Sequence, residues 1–436
     1  MKTPRSLSLA LLVLVCVTGA HAQLVTGRLA TSFYGWEQFD TTGVSHQRIR
    51  AFQNIQLSMT QGDLSVNTFI QGATNLAGDF GDVGRVRFYN LYLTWANIGK
   101  VLDLNVGRQA VYAGAGVGSI DGILARARFL EQKVTVTGFA GATVSPEFTG
   151  VRENMHDNYH FGGQVVTTLV PGARIGLSYM NRHEEREPYW TIRARDTSFA
   201  PVSYYIANDS PAQELGSAEA RYEYANRFSV YGRYDHDFAS DRTARAQGGA
   251  RVYVTEALSL TADYIHRAPR LSYNSIFSAF VANAVNEIEG GVEYGFTPLL
   301  RAFARVAKVS YTDEQSTRWS VGVNNGYGSL AYAGSDGYAG ELQSISLQGS
   351  YPFFGRTVIP TAGLSYASYR LSKESSRDNA LSVLLGAIVR PTQAFSFDVQ
   401  GQWLTNKISQ RDMRLQVKLM YWFAQRLSIF NGEGTQ

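Results

Sequence analysis

Long apolar runs are what this chain of 436 residues lacks first. After Gln23 no run approaches the roughly 18 consecutive apolar residues that a membrane helix needs, so a helical membrane protein is excluded. Cysteine is all but missing. The single one, Cys16, falls inside the first 22 residues, so the chain beyond it has no disulfide, no thiolate metal site and no cysteine nucleophile. Proline is scarce, at 11 residues against 42 glycines and 25 tyrosines, a balance that suits strands joined by tight turns. A large charge of one sign is also missing. The formal net charge is +4, and removing Lys2 and Arg5 leaves +2, which specifies neither nucleic acid nor any other anionic partner. Hydrophobic residues make up 44% and charged residues 17%, too apolar a balance for a disordered chain.

The first 22 residues point to a compartment. Lys2 and Arg5 give a positive start, Leu7 to Val17 is a short apolar run, and Ala20-His21-Ala22 is an A-x-A cleavage pattern. This combination is expected to be a secretory signal peptide, too short to cross a membrane as a helix. A lipoprotein signal is rejected, because Val15 stands before Cys16 where a small residue is required. The expected division is a signal peptide at 1–22, a strand-rich body at 23–423 and a tail at 424–436.

What is present is period-two alternation. In Gln410–Phe423 (QRDMRLQVKLMYWF), Met413, Leu415, Val417, Leu419, Tyr421 and Phe423 fall on one face. Asp412, Arg414, Gln416 and Lys418 fall on the other, and the end is aromatic. A half-buried soluble strand alternates in the same way. Length and the terminal aromatics favour a membrane-crossing strand, which needs roughly 9–11 residues and an aromatic girdle. This stretch resembles the C-terminal strand of bacterial outer-membrane barrels, whose final aromatic is read by the β-barrel assembly machinery. The resemblance assigns that role to Phe423, with Phe430 as the alternative because 13 residues follow Phe423.

About twenty such stretches succeed one another, alternating very short turns with longer polar loops. They predict an all-β fold: a transmembrane, antiparallel, up-and-down β-barrel of about 20 strands, range 18–22. The region Thr312–Gly340 is read either as one long loop or as two further strands. His183–Leu215 and Ala268–Val285 are the other long loops. The first is rich in aromatics, which leaves two readings open: it folds into the barrel mouth, or it lies on the surface. Strand patterning starts right after Gln23, so no plug domain of the kind found in TonB-dependent transporters is expected. In outer-membrane barrels the short turns are periplasmic and the long loops extracellular.

Charges repeated in mid-strand mark the inner wall, because Arg or Lys facing lipid at the midplane costs roughly 2–4 kcal/mol. On that rule the pore-lining candidates begin with Arg48 and Arg50. Glu219, Arg221, Arg233, Arg245, Arg251 and Asp263 follow. Glu289, Glu293, Arg301, Arg305, Arg414 and Lys418 complete the set. A three-residue turn at Phe296–Pro298 sets Glu293 opposite Arg301 and Glu289 opposite Arg305. One at Ala225–Arg227 sets Glu219 opposite Arg233. Such opposed pairs either hold the wall or condition a pore. General porins, which this pattern resembles, carry arginines on one wall and carboxylates on the other. Here the signs alternate strand by strand, which argues against strong anion selectivity.

Leu102–Gln109 is similar to strands of porin and export-channel families that end in Gly-Arg-Gln. Alternation nevertheless places Arg108 on the apolar face with Val106, and it is not taken as a site. Gly114–Gly118 reads as a flexible extracellular turn rather than a phosphate loop. His156 and His160 frame MHDNYH without a metal-ligand spacing, and His236 is turned away from Asp235 and Asp237.

The expectation is a porin-like channel in the outer membrane of a Gram-negative cell, exported by a cleavable signal peptide. It passes small hydrophilic solutes by passive diffusion and is not an enzyme. No cofactor, metal or nucleic acid is called for. Lipid and the assembly machinery are the expected partners, and a homotrimer stays open. The alternatives are a substrate-specific or export channel, for instance for an acidic polysaccharide, and a structural or adhesive barrel closed by its loops.

Overall fold

The computed structural model describes residues 23–427 apart from 40–42, 78–84, 146–147, 151–154, 185–188, 196–199, 207–212, 270–283, 312–313, 339 and 373. The expected signal peptide, most of Ala268–Val285 and Phe430 lie outside the described residues.

Among the described residues twenty-four strands follow one another. They begin with β1 (Gln23–Phe39), β2 (Ser45–Gln61), β3 (Leu64–Ala77), β4 (Arg85–Ile98), β5 (Leu102–Ala113), β6 (Gly116–Phe129), β7 (Val134–Thr143) and β8 (Tyr159–Thr167). Next come β9 (Ala173–Arg182), β10 (Tyr189–Arg195), β11 (Ala200–Ile206), β12 (Gln213–Tyr224), β13 (Phe228–Asp237), β14 (Arg242–Tyr253), β15 (Leu258–Arg267) and β16 (Val285–Gly295). The last are β17 (Leu300–Ser310), β18 (Gln315–Asn325), β19 (Gly328–Gly337), β20 (Gly340–Ser350), β21 (Val358–Arg370), β22 (Asp378–Val389), β23 (Phe395–Thr405) and β24 (Asp412–Leu427).

Each strand pairs antiparallel with the next, except that β10 and β11 pair only with each other and β9 passes directly to β12. β24 then pairs back onto β1, from Gln23 opposite Leu427 to Trp36 opposite Arg414. The result is a closed barrel of 22 strands. Closure satisfies the ladder groups of β1 and β24 and leaves the barrel sheet itself without an edge.

The count is 22 rather than about 20 because Thr312–Gly340 is not a loop. It holds β18 and β19, joined at Gly326–Tyr327, where the Asn325 side-chain oxygen accepts from the Tyr327 and Gly328 amides at 2.7 and 2.8 Å. Gly114–Gly118 is not a flexible turn either. Pairing runs to Ala113 opposite Gly116, leaving a two-residue connection. The closing strand extends four residues past Phe423, to Leu427. Within His183–Leu215, β10 and β11 form a separate hairpin whose Trp190, Ile192 and Tyr205 are exposed.

Strand alternation gives the sheet two unlike faces. One carries Leu177, Leu260, Ile288, Val306, Val321, Leu347, Leu385 and Leu415, all exposed. The other carries most of the charged side chains. Contacts that skip strands identify the second face as the concave one. The Tyr231 hydroxyl on β13 donates to Asp263 on β15 at 2.6 Å, across β14. His160 on β8 approaches Gly118 on β6, across β7. The ion pairs Arg251–Glu293 and Arg318–Glu287 also skip a strand and lie on the same face, the one whose side chains a curved sheet brings together. The apolar face is therefore the outside.

Candidate functional site: the concave face of the barrel

The inner wall is interrupted at β5 and β6. Gly107 adopts φ +127, and a side chain there would strike the Leu91 carbonyl at 2.4 Å. Past this bend the β5–β6 hairpin leans into the barrel. The Ala115 amide donates to Ser178 Oγ on β9 at 2.8 Å, and Gly116 lies against the Phe139 ring of β7. Val111, Ala113, Ala115 and Ile120 pack with Leu124, Phe139, Met180 and Leu215 as a buried cluster inside the barrel. A barrel of this circumference encloses a wide lumen. The hairpin fills part of it and leaves Tyr112, 76% exposed, on the far side.

Arg108 occupies the bend. Pairing runs in unbroken register through Gly107, so Arg108 keeps the parity of Val106 as alternation requires, opposite Leu91 and Asp121; yet it is only 7% exposed. All five of its N–H groups are used. Nε and Nη2 donate to the two Asp121 oxygens at 2.7 Å. Nη1 donates to the Phe88 and Phe148 carbonyls at 3.2 Å, and Nη2 also donates to Gly150 O at 2.5 Å. A guanidinium has five donors and no acceptor, so it is saturated here. It joins the hairpin base to β4 and to the segment after β7, whose Phe148 carbonyl also accepts from the Phe88 amide at 2.8 Å.

The charged sector runs from β9 to β18. Glu219 stands opposite Arg233, as the three-residue turn at Ala225–Arg227 requires, yet its ion pair is with Arg174 at 2.7 Å. Arg233 instead bonds buried Asp235 at 2.8 Å, and Asp235 also accepts from Ser217 at 2.6 Å. Arg221 pairs with Glu223, and Arg245 bonds Gln247. The expected pairs on β16 and β17 are corrected. The turn is Thr297–Leu299, one residue later than expected, so Gly295 is opposite Arg301 and Glu293 is opposite Phe303. Glu293 still reaches Arg301 diagonally at 3.2 Å, and it also reaches Arg251 on β14 at 3.6 Å. Glu289 does not meet Arg305. It meets Arg318 of β18 at 3.4 Å, and the same guanidinium bonds Glu287. Arg305 lies with its Cζ 5.3 Å from the centre of the Phe303 ring.

Small residues let these bonds pass over a strand. A Cβ on Gly249 would sit 2.2 Å from Asp263 and 2.5 Å from the Tyr231 ring, so that bond needs glycine between its partners. Arg318 crosses β17 where Ala307 and Val309 lie buried. The remaining candidates share the concave face. Arg48 and Arg50 stand opposite Trp36 and Tyr34, and Arg50 Nε donates to Asn75 at 2.8 Å. Arg414 pairs with Asp412 at 2.8 Å, and Lys418 faces Asp398 in register. By contrast, the concave faces of β19–β22 carry Ser329, Ser335, Ser344, Ser346, Ser365 and Ser382 among alanines and glycines.

Sequence reasoning missed Arg174, Arg318 and Tyr231. The strand period alone places Tyr231 with Arg233, and Arg318 becomes visible once β18 is read as a strand. MHDNYH does not assemble a pair: His156 is bonded to its neighbour Asp157 and exposed, while His160 is buried against Phe139. Among the described residues no group of His, Cys, Asp and Glu is arranged to hold a metal.

No family model matches the chain, and no curated protein matches it. Solved structures do. The translocation pore of the P pilus usher PapC is 9% identical over 91% of this chain and 99% of its own, with a TM-score of 0.47. A BenF-like porin from Pseudomonas fluorescens Pf-5 is 8% identical over 92% and 99%, with a TM-score of 0.42. OpdK of Pseudomonas aeruginosa, solved with vanillate, is 9% identical over 92% and 99%, with a TM-score of 0.39.

Proposed function

We propose that this chain is a channel of the Gram-negative outer membrane that passes small hydrophilic solutes by passive diffusion. The observation that carries this is the pair of faces: a closed sheet, apolar and exposed outside, charged inside. In lipid only helices and closed barrels satisfy every backbone group. Among the described residues no helix is long and apolar enough to cross a membrane; the closed barrel, apolar outside, meets this requirement with its strands. Residues 1–22 serve as the export signal, and Phe423 marks the closing strand for the assembly machinery.

Solutes move down their own gradient, and no catalytic step is needed. Most inner carboxylates are already held by arginines, so the wall presents dipolar pairs rather than a field of one sign. Selectivity then comes from pore width and from which pairs a solute can open. The inward β5–β6 hairpin narrows the lumen, which favours a selective channel over a wide general one. Refolded protein in a planar bilayer, under a salt gradient, tests the reading. Discrete current steps with a small reversal potential are expected. A silent membrane, with folding shown by β-sheet circular dichroism, refutes the channel.

A further inference from the structure

One sector of the inner wall differs from the rest. The concave faces of β1–β4 carry Tyr34, Trp36, Phe52 and Phe69, and Tyr89 joins them at the bulge in β4. Aromatic rings are out of place on a wall that faces water, where an outer-membrane channel is normally polar. Here they form platforms. Phe69 stacks on Tyr89 at 5.1 Å and 22°, and Phe148 tilts against Tyr89 at 4.8 Å and 41°. Tyr34 and Trp36 form a second platform at 5.0 Å. Side-chain amides fill the rows between: Gln71 donates to Asn54 at 2.8 Å and accepts from the Tyr89 hydroxyl at 3.3 Å. Arg28 shares a row with Gln56 and Phe69, and Arg87 shares one with Gln71. No Asp or Glu stands on the concave face of these four strands, whereas β12–β16 on the far side of the barrel hold carboxylates in every strand but β14.

We infer that this sector is a binding track for a linear oligosaccharide that carries carboxylate groups; this deepens the channel reading and rests on it. Aromatic planes suit the apolar faces of sugar rings, and amides suit their hydroxyls. Arginine forks suit carboxylates and bind them bidentately. Length separates a polymer from a single small acid. From the Trp36 row to the Arg28 row is eight residues of β1, about 27 Å of strand at roughly 3.4 Å per residue.

The test is block of single-channel current, paired with calorimetric titration of detergent-solubilised protein. The probes are hexagalacturonate, its neutral counterpart maltohexaose, and benzoate. Hexagalacturonate is expected to interrupt the current and to bind at least tenfold more tightly than either other probe. The double change Phe69→Ala with Tyr89→Ala is expected to weaken it more than tenfold, and Arg87→Gln by three- to tenfold. Equal block by the neutral sugar, or block that survives the aromatic changes, overturns the track. A conducting channel that none of the probes blocks or binds also overturns it and leaves the channel reading standing. A silent channel that still binds hexagalacturonate overturns the channel reading and supports the track.

Discussion

Arg108→Ala is the most demanding perturbation the structure offers. It removes a bidentate pair with Asp121 and three bonds to main-chain carbonyls from a guanidinium that is 7% exposed. Removing one partner of a buried ion pair costs about 3–5 kcal/mol, because the other charge is left behind. Each carbonyl deprived of its donor adds up to about 1–3 kcal/mol unless water replaces it. Water will reach some of these groups once the side chain is gone, so a loss near 4 kcal/mol is expected. Urea unfolding in detergent micelles, followed by tryptophan fluorescence, measures it. Hydrogen exchange should rise at Phe88 and Phe148, whose backbone groups are bonded to each other across the bend. Arg108→Met combined with Asp121→Leu should recover part of the loss, because no uncompensated charge remains. A loss under about 1 kcal/mol, with exchange at Phe88 unchanged, would sink the idea that this arginine holds the hairpin base.

Three further outcomes follow from the faces and the small-residue crossings. Leu415→Arg places a charge on the outer face and should cost about 2–4 kcal/mol, while Gln416→Arg, one residue on, should cost less than about 1 kcal/mol; equal costs in micelle unfolding would mean the faces are misassigned. Gly249→Ala should break the Tyr231–Asp263 bond and free the carboxylate, raising the cation-over-anion permeability ratio read from the reversal potential. Phe423→Ala should lower the yield of heat-modifiable, folded barrel in the outer membrane, because the Phe423 ring covers Gly27 on β1 at the seam; unchanged yield would place the assembly signal elsewhere.

Twenty of the 22 barrel strands were legible because each supplies its own apolar face at period two. β19 did not, and the reason is physical. Its outward positions are Gly328, Leu330, Tyr332, Gly334 and Asp336, and the surface at Gly334 is covered by the Trp319 ring of β18. A strand that borrows its apolar cover looks polar on its own. The inner face was legible as charges in mid-strand, but not its pairing. Directly opposed residues follow from a turn, so a one-residue error at Thr297 moved Glu293 from Arg301 to Phe303. Bonds that leap a strand, such as Arg318 to Glu287 and Arg251 to Glu293, follow from wall curvature, which local spacing does not encode. Arg108 was hidden for another reason. Three of its five bonds go to main-chain carbonyls, which carry no side-chain signature, and two of those carbonyls come from Phe148 and Gly150, at least 40 residues further along the chain.

The seam between β1 and β24 bears on how the chain can be rewired. Gln23 and Leu427 are partners in the ladder, so the start of the first strand and the end of the last lie side by side. A linker of a few residues between them, with new ends opened at the Gly62 turn between β2 and β3, would leave every strand pair of the barrel intact. Such a circular permutant makes the aromatic closing strand internal, with β1 and β2 following it. It separates two roles that the proposed function gives to the last strand, completing the ring and carrying the assembly signal at the end of the chain.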